Sequence, residues 1–270
     1  MAWMSSLLMV VTMGTLGAEP PSVEIVAHRG ESADAPENTL AAFNLAWSRK
    51  VEAIELDVHL ARDGVLVVTH DPDTKRVTGV ERKIKEADWA DLKDLDAGRW
   101  KDAKFVGETM PTLEASLATI PDGGRCFIEL KTGPEVVPAV VEAVRKSGKK
   151  PEQLVIISFH ADTVAEAKKR LPELKAYYLA SFKTDKETGA VKPTLDELIA
   201  RAKELNADGL DLDFKGPIDR AFVDRVKSEG LALYVWTVDD PAVARRLAAA
   251  GVDGITTNKA EWLKKQLAGE

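Results

Sequence analysis

Two rhythms of apolar and polar positions take turns along this chain. Short runs rich in Val, Ile and Leu are followed by longer runs whose apolar residues recur every third or fourth position. The first short run is 22–27. Residues 38–49 then carry Leu40, Phe43 and Trp47 on one helical face, behind Asn38 or Thr39 as N-cap. Residues 51–60 read as a second strand, Asp63-Gly64 as a turn and 65–69 as a short extended return. The rhythm lapses over 71–108, a polar, charged stretch that holds Trp89, Trp100 and Phe105. It resumes with helix 113–120, strand 125–131, helix 135–146, strand 154–159, helix 161–170 and strand 174–180. Helix 195–205, strand 209–213, helix 218–228, strand 231–237, helix 241–250, strand 254–257 and helix 260–267 complete the chain.

About eight strand–helix units over roughly 250 residues have the size and rhythm of a (β/α)8 TIM barrel. The barrel carries an insertion, about 71–110, between the second strand and its helix. An open doubly wound sheet would need fewer units, or a Gly-rich phosphate loop after the first strand. His28-Arg29-Gly30 is not such a loop. No linker divides residues 22–268, so one domain is expected there. Residues 1–18 carry no charged side chain, and Gly17-Ala18 precedes Glu19-Pro20-Pro21. This reads as a secretory signal cut after Ala18, implying a periplasmic or secreted protein. Left uncut, it would leave the protein cytoplasmic or membrane-tethered.

Composition narrows the partners. The chain has 270 residues, 45% of them apolar, enough for one large core. Its formal net charge is −7, with no basic run, which argues against nucleic acid and anionic lipid surfaces. A site for an anionic substrate must therefore supply its own positive charge. No later apolar run is long enough to span a bilayer, so stable membrane insertion of the mature domain is not expected. The single cysteine, Cys126, permits no intramolecular disulfide and reads as an apolar filler at a strand start. Oligomeric state is not legible.

Strand residues two apart share a face, so Glu55 and Asp57 converge, as do Glu129 and Lys131. Active sites of such barrels lie at the C-terminal strand ends. His28 and Arg29 close the first strand, Glu55 and Asp57 lie late in the second, Glu129 and Lys131 late in the third, and Trp236 closes the seventh. Three carboxylates from neighbouring strands form an all-oxygen set suited to one divalent cation, Ca²⁺ or Mg²⁺. The competing structure is a buried salt-bridge cluster with Arg29 and Lys131. The Arg29 guanidinium suits a phosphate oxygen, and Lys131 could act on the same group or hold Glu129. His59 shares the parity of Glu55 and Asp57, and a rim role suits it. His160 follows the fourth strand and reads as structural.

The fragments H-R-G (28–30), E-N-T (37–39), E-L-D-V (55–58), D-G (63–64) and H-D (70–71) occur in that order. They are followed by M-P-T-L-E (110–114), F-I-E-L-K (127–131), V-W-T-V (235–238) and T-T-N (256–258). Together they resemble the glycerophosphodiester phosphodiesterase family. The resemblance implies a metal held by Glu55, Asp57 and Glu129, and His28 and His70 as general acid and base. It makes Trp236 a wall for the glycerol carbons, with barrel-mouth packing as the alternative. Glu37 and Asn38 would brace the His28-Arg29 loop and cap the first helix. The implied reaction gives glycerol 3-phosphate and an alcohol, through attack by the neighbouring glycerol hydroxyl and a cyclic phosphate. One departure is Ala61, where the family usually has Thr or Ser; it touches a turn only. Two other readings stand beside this one: a lysophospholipase D-like enzyme acting on lysophospholipids, and a non-catalytic binding barrel.

Overall fold

The computed structural model describes residues 23–269. The expected signal segment, 1–18, lies outside the described residues. Eight parallel strands follow one another around a closed sheet: β1 (Glu24–Ala27), β2 (Ala53–Leu60), β3 (Arg125–Leu130), β4 (Leu154–Ser158), β5 (Lys175–Ala180), β6 (Gly209–Asp213), β7 (Ala232–Trp236) and β8 (Gly254–Thr257). Pairing of Val26 with Ala53 and of Ala27 with Ile54 closes β1 on β2, and β1 pairs β8 on its other edge. The outer ring is α1 (Leu40–Ser48), α2 (Leu113–Ala118), α3 (Val137–Ser147), α4 (Ala161–Arg170), α5 (Leu195–Glu204), α6 (Arg220–Ser228), α7 (Pro241–Ala250) and α8 (Ala260–Ala268). The result is the (β/α)8 barrel that the alternating rhythm predicts.

The strands read as near-continuous apolar runs because both faces are covered. On β2 the even residues Ile54, Leu56 and Val58 point outward, into the core shared with the helices. Inside the barrel, Val26, Ala53, Phe127, Val155, Ile157, Tyr177, Leu179 and Tyr234 pack as a separate cluster. The Tyr177 and Tyr234 rings stack at 5.3 Å. A side chain at Gly254 would place its Cβ 2.1 Å from the Tyr234 ring, so glycine there makes room for that stack. This plug closes the barrel interior and leaves only its two ends open.

After β2 the chain returns as a short antiparallel strand, Leu66–Val68, paired through His59 with Val67. The insertion then folds on a small core of its own, in which Val77, Ile84, Leu92 and Met110 pack with Val67. Its helices, Lys75–Thr78 and Trp89–Leu92, are single turns, too short to show a period in sequence. Trp89 packs on this small core, whereas Trp100 is 42% exposed. Lys101 Nζ donates to the Ser32 carbonyl at 2.7 Å, tying the insertion to the β1–α1 loop. Among the described residues, no helix is long and apolar enough to cross a membrane.

Candidate active site

Strand parity sets the site. The odd residues of β2 and β3 point inward, and the register places Asp57 directly beside Glu129. One oxygen from each of Glu55, Asp57 and Glu129 lies within 4.8 Å of the other two, and all three residues are buried. Two cations face them. Lys131 Nζ lies 2.7 Å from Glu129 Oε1 and 3.2 Å from Asp57 Oδ1. Arg29 Nε lies 3.2 Å from Asp57 Oδ2, while the Arg29 backbone N–H donates to Glu55 Oε2 at 2.9 Å. Both contacts to Asp57 are ion pairs without hydrogen-bond alignment, and Glu55 Oε1 is buried with no hydrogen-bond partner. Two cations against three carboxylates leave one negative charge uncompensated.

The titration behaviour follows from that imbalance. Burial, then the charges of Asp57 and Glu129, pushes Glu55 well above the usual carboxylate range. Burial and Asp57 push Glu129 up to about 7. For Asp57, burial is outweighed by Lys131 and Arg29, which hold it below its ordinary value. Crowded oxygens with orphaned lone pairs and excess negative charge are the donor set of a hard divalent cation. The residues present therefore fit such an ion.

The first loop is shaped by its backbone. Arg29 adopts φ 56° and Gly30 φ 78°, and a Cβ on Gly30 would fall 2.7 Å from Ala42 of α1. The sharp turn seats the loop on α1 and aims the Arg29 N–H at Glu55. Asn38 also has a positive φ, 57°. Its Nδ2 donates to Asp57 Oδ2 at 2.8 Å, and its Oδ1 accepts the Asp57 N–H at 3.2 Å. Thr39 is the helix cap, accepting the Ala42 N–H at 3.3 Å. Asn38 thus clasps the Asp57 carboxylate, and of the two N-cap candidates Thr39 takes the cap.

The histidines reach the site from the neighbouring loops after β1 and β2 and line one cavity of about 110 Å³. Arg29, Glu55, Glu129, Lys131 and Trp236 line it too, and Asp57 lies buried behind them. His28 Nδ1 lies 2.7 Å from Asn258 Oδ1. Asn258 Nδ2 donates to Asp239 at 2.7 Å, which fixes the amide and leaves its oxygen for the ring. His28 Nδ1 therefore carries the proton, and Nε2, 4.0 Å from Glu55 Oε2, presents its lone pair. Burial and Arg29 push His28 down to about 4. His70 is backed by a carboxylate, with Nδ1 2.7 Å from Asp71 Oδ1. Arg76 joins Asp71, at 2.6 Å, to Glu37, at 2.8 and 2.9 Å, and Glu37 accepts from Arg29 at 2.7 Å. This chain of pairs braces both loops from the insertion. His59 points inward, with Nε2 3.0 Å from the His70 carbonyl, and supports that residue. His160 sits exposed at the start of α4, away from the cavity.

Trp236 forms one wall. Its indole N–H donates to the Asp211 carbonyl at 3.1 Å, and its ring meets Phe159 edge-on at 5.5 Å. Four groups here are not foreseen from sequence: Asp211 on the floor, Phe159 at the mouth, Asn258 behind His28, and Arg76. Asp211 shares the inward parity of β6, a signal that D-L-D in 211–213 carries once the strand is placed. A wider bowl of about 980 Å³ opens at the other barrel end, above Arg125, Tyr177 and Tyr234. None of the residues discussed above as chemistry lines it. Arg125 there pairs with Glu24 at 2.5 Å, and Tyr234 donates to the same carboxylate at 2.6 Å. Size alone does not make it the active site, since barrels of this kind work at the C-terminal face.

Comparison with known proteins agrees with the geometry. Residues 28–261 match the model of the glycerophosphoryl diester phosphodiesterase family. A glycerophosphodiester phosphodiesterase of Caldanaerobacter subterraneus subsp. tengcongensis is 36% identical over 243 residues, covering 88% of this chain and 95% of that one. One from Bacillus subtilis is 32% identical over 263 residues, covering 91% and 87%. An Oleispira antarctica phosphodiesterase, solved with its product sn-glycerol-3-phosphate, superposes with a TM-score of 0.81 at 28% identity, covering 91% of this chain and 96% of that chain.

Proposed function

The chain belongs to the glycerophosphoryl diester phosphodiesterase family, and on that premise we propose that it hydrolyses glycerophosphodiesters to glycerol 3-phosphate and an alcohol. The observation that carries this reading is the convergence of two imidazoles, two cations and three carboxylates at one barrel mouth. Glu55, Asp57 and Glu129 would hold one divalent cation, Ca²⁺ or Mg²⁺, which supplies charge neutralisation at the phosphate when bound.

The side chains divide the remaining work. Arg29 and Lys131 bind the phosphate oxygens and stabilise the charge that builds on them. His28 offers a lone pair on Nε2, so it takes the proton of the glycerol 2-hydroxyl as that oxygen bonds to phosphorus. His70, held through Nδ1 by Asp71 Oδ1, gives its proton to the departing alkoxide as the exocyclic P–O bond breaks. Water then opens the cyclic phosphate with the roles reversed. Trp236 and Phe159 cover the apolar edge and limit water access. Export through residues 1–18 would place this reaction outside the cytoplasm.

The test is a panel of glycerophosphodiesters with different head groups, given to metal-stripped protein with Ca²⁺ or Mg²⁺ restored. Release of glycerol 3-phosphate from at least one member is expected. No cleavage of any member, with either ion, would remove the assignment.

A further inference from the structure

The mouth cavity has one carboxyl that the reaction above leaves unused. Asp211 of β6 lines the floor with Ile157, Leu179 and Thr256. It is 2% exposed, and its Oδ1 is buried without a hydrogen-bond partner. Its register neighbours, Leu179 on β5 and Tyr234 on β7, offer it no ion pair. Arg29 and Lys131 are engaged by Glu37, Asp57 and Glu129 on the other side of the barrel. Leaving a buried polar group without a partner costs stability. A leucine here would continue the apolar floor of Ile157 and Leu179 without that penalty. The group that satisfies Asp211 must then come from whatever fills the cavity.

The chemistry of a glycerophosphodiester leaves one good partner. Phosphate oxygens only accept, carry negative charge, and face Arg29 and Lys131. The 2-hydroxyl must stand at phosphorus. A choline head group has no N–H or O–H. The terminal glycerol hydroxyl both donates and accepts, and so pairs with a carboxyl in either protonation state. We propose that Asp211 is a specificity-determining residue that hydrogen-bonds this terminal hydroxyl, and so selects deacylated glycerophosphodiesters over lysophospholipids, in which that oxygen is esterified. A cavity of about 110 Å³ leaves little room for an acyl chain at the floor. The inference rests on the phosphodiesterase reading.

The experiment compares kcat/KM for glycerophosphocholine and for the same diester built on propane-1,2-diol, which keeps the 2-hydroxyl and lacks the terminal one. Wild-type protein should favour glycerophosphocholine by about tenfold or more. Asp211→Ala should collapse that ratio towards one, chiefly by losing turnover of glycerophosphocholine, and should raise the relative turnover of lysophosphatidylcholine. Asp211→Asn, of equal size and still able to donate and accept, should keep part of the ratio. If the alanine protein fails to fold, Asp211→Leu, of similar size and unable to hydrogen-bond, is the decisive variant, and an unchanged ratio there overturns the proposal. Equal wild-type turnover of the two diesters, or a parallel loss on both in Asp211→Ala, also overturns it. Wild-type protein that cleaves neither diester removes the phosphodiesterase reading itself, and this inference with it.

Discussion

Replacing Glu55 with Gln should make the metal-free protein more stable and the metal-supplemented protein less so. The magnitude comes from the site. Carboxylate oxygens within 4.8 Å of one another repel by about 3 kcal/mol per ionised pair at an effective dielectric near 20. Burial and its acidic neighbours raise Glu55 well above the usual range, so it relieves that repulsion by taking up a proton. An unfolded Glu ionises near pH 4.3, so a proton kept on folding above that pH itself costs stability. Gln avoids both the repulsion and the proton uptake. Its amide oxygen can still accept the Arg29 N–H. A gain of about 2–3 kcal/mol, or roughly 5–10 °C in Tm, is expected in chelator at pH 7. A carboxyl raised on folding loses stability as pH rises above its unfolded value, so the gain should vanish by about pH 4. Added divalent ion at a hundredfold excess over Kd should stabilise wild type by about 2.7 kcal/mol and the variant far less. The assay is calorimetric or fluorimetric melting at several pH values, with chelator and with Ca²⁺ or Mg²⁺. A variant that melts below wild type in chelator at pH 7, and keeps the full metal-induced rise, would refute the reasoning.

His28→Ala and His70→Ala should each lower kcat by about a hundredfold or more with Tm nearly unchanged, because in the proposed mechanism each ring moves one of the two protons. Near-wild-type turnover in either would dismiss that residue from the chemistry. Arg76→Ala should lower turnover by roughly tenfold by freeing Asp71 and Glu37, and Arg76→Lys should recover part of it; equal rates in all three proteins would show the bridge to be ornamental. Divalent-ion binding near pH 6.5 should release protons, because Glu129 titrates at about 7 in the metal-free centre. Calorimetry in buffers of different ionisation enthalpy reads that release, and buffer-independent heats would contradict it. Expression of the full chain in a secreting host should yield a mature N-terminus at Glu19 by N-terminal sequencing, and an intact Met1 would count against the signal.

Much of the architecture is legible in the chain because a parallel barrel repeats one strong signal. Each strand is a short apolar run, and each helix is a longer period flanked by turn residues. Parity within β2 and β3 places Glu55, Asp57, Glu129 and Lys131 on the inner face before any coordinates are known. What the sequence hides is set by tertiary contact. Asn38 resembles a helix cap, yet its left-handed backbone turns the amide to Asp57 and leaves capping to Thr39. The insertion looks merely polar because its core is built from scattered residues on single-turn helices. Asn258 and Arg76 act across 230 and 39 residues of chain, on His28 and Glu37. Such distances leave no local pattern. Asp211 was readable in parity alone, but only its orphaned oxygen marks it out.

The most direct test titrates one divalent ion into stripped protein while following hydrolysis of glycerophosphocholine. Turnover should be absent in chelator and climb to a plateau at one bound ion per chain. Neither the bound ion nor the turnover should appear when Glu55, Asp57 and Glu129 are all replaced by their amides. Full hydrolysis in chelator, or an active ion that still binds the triple variant, would mean that these three carboxylates are not the metal centre.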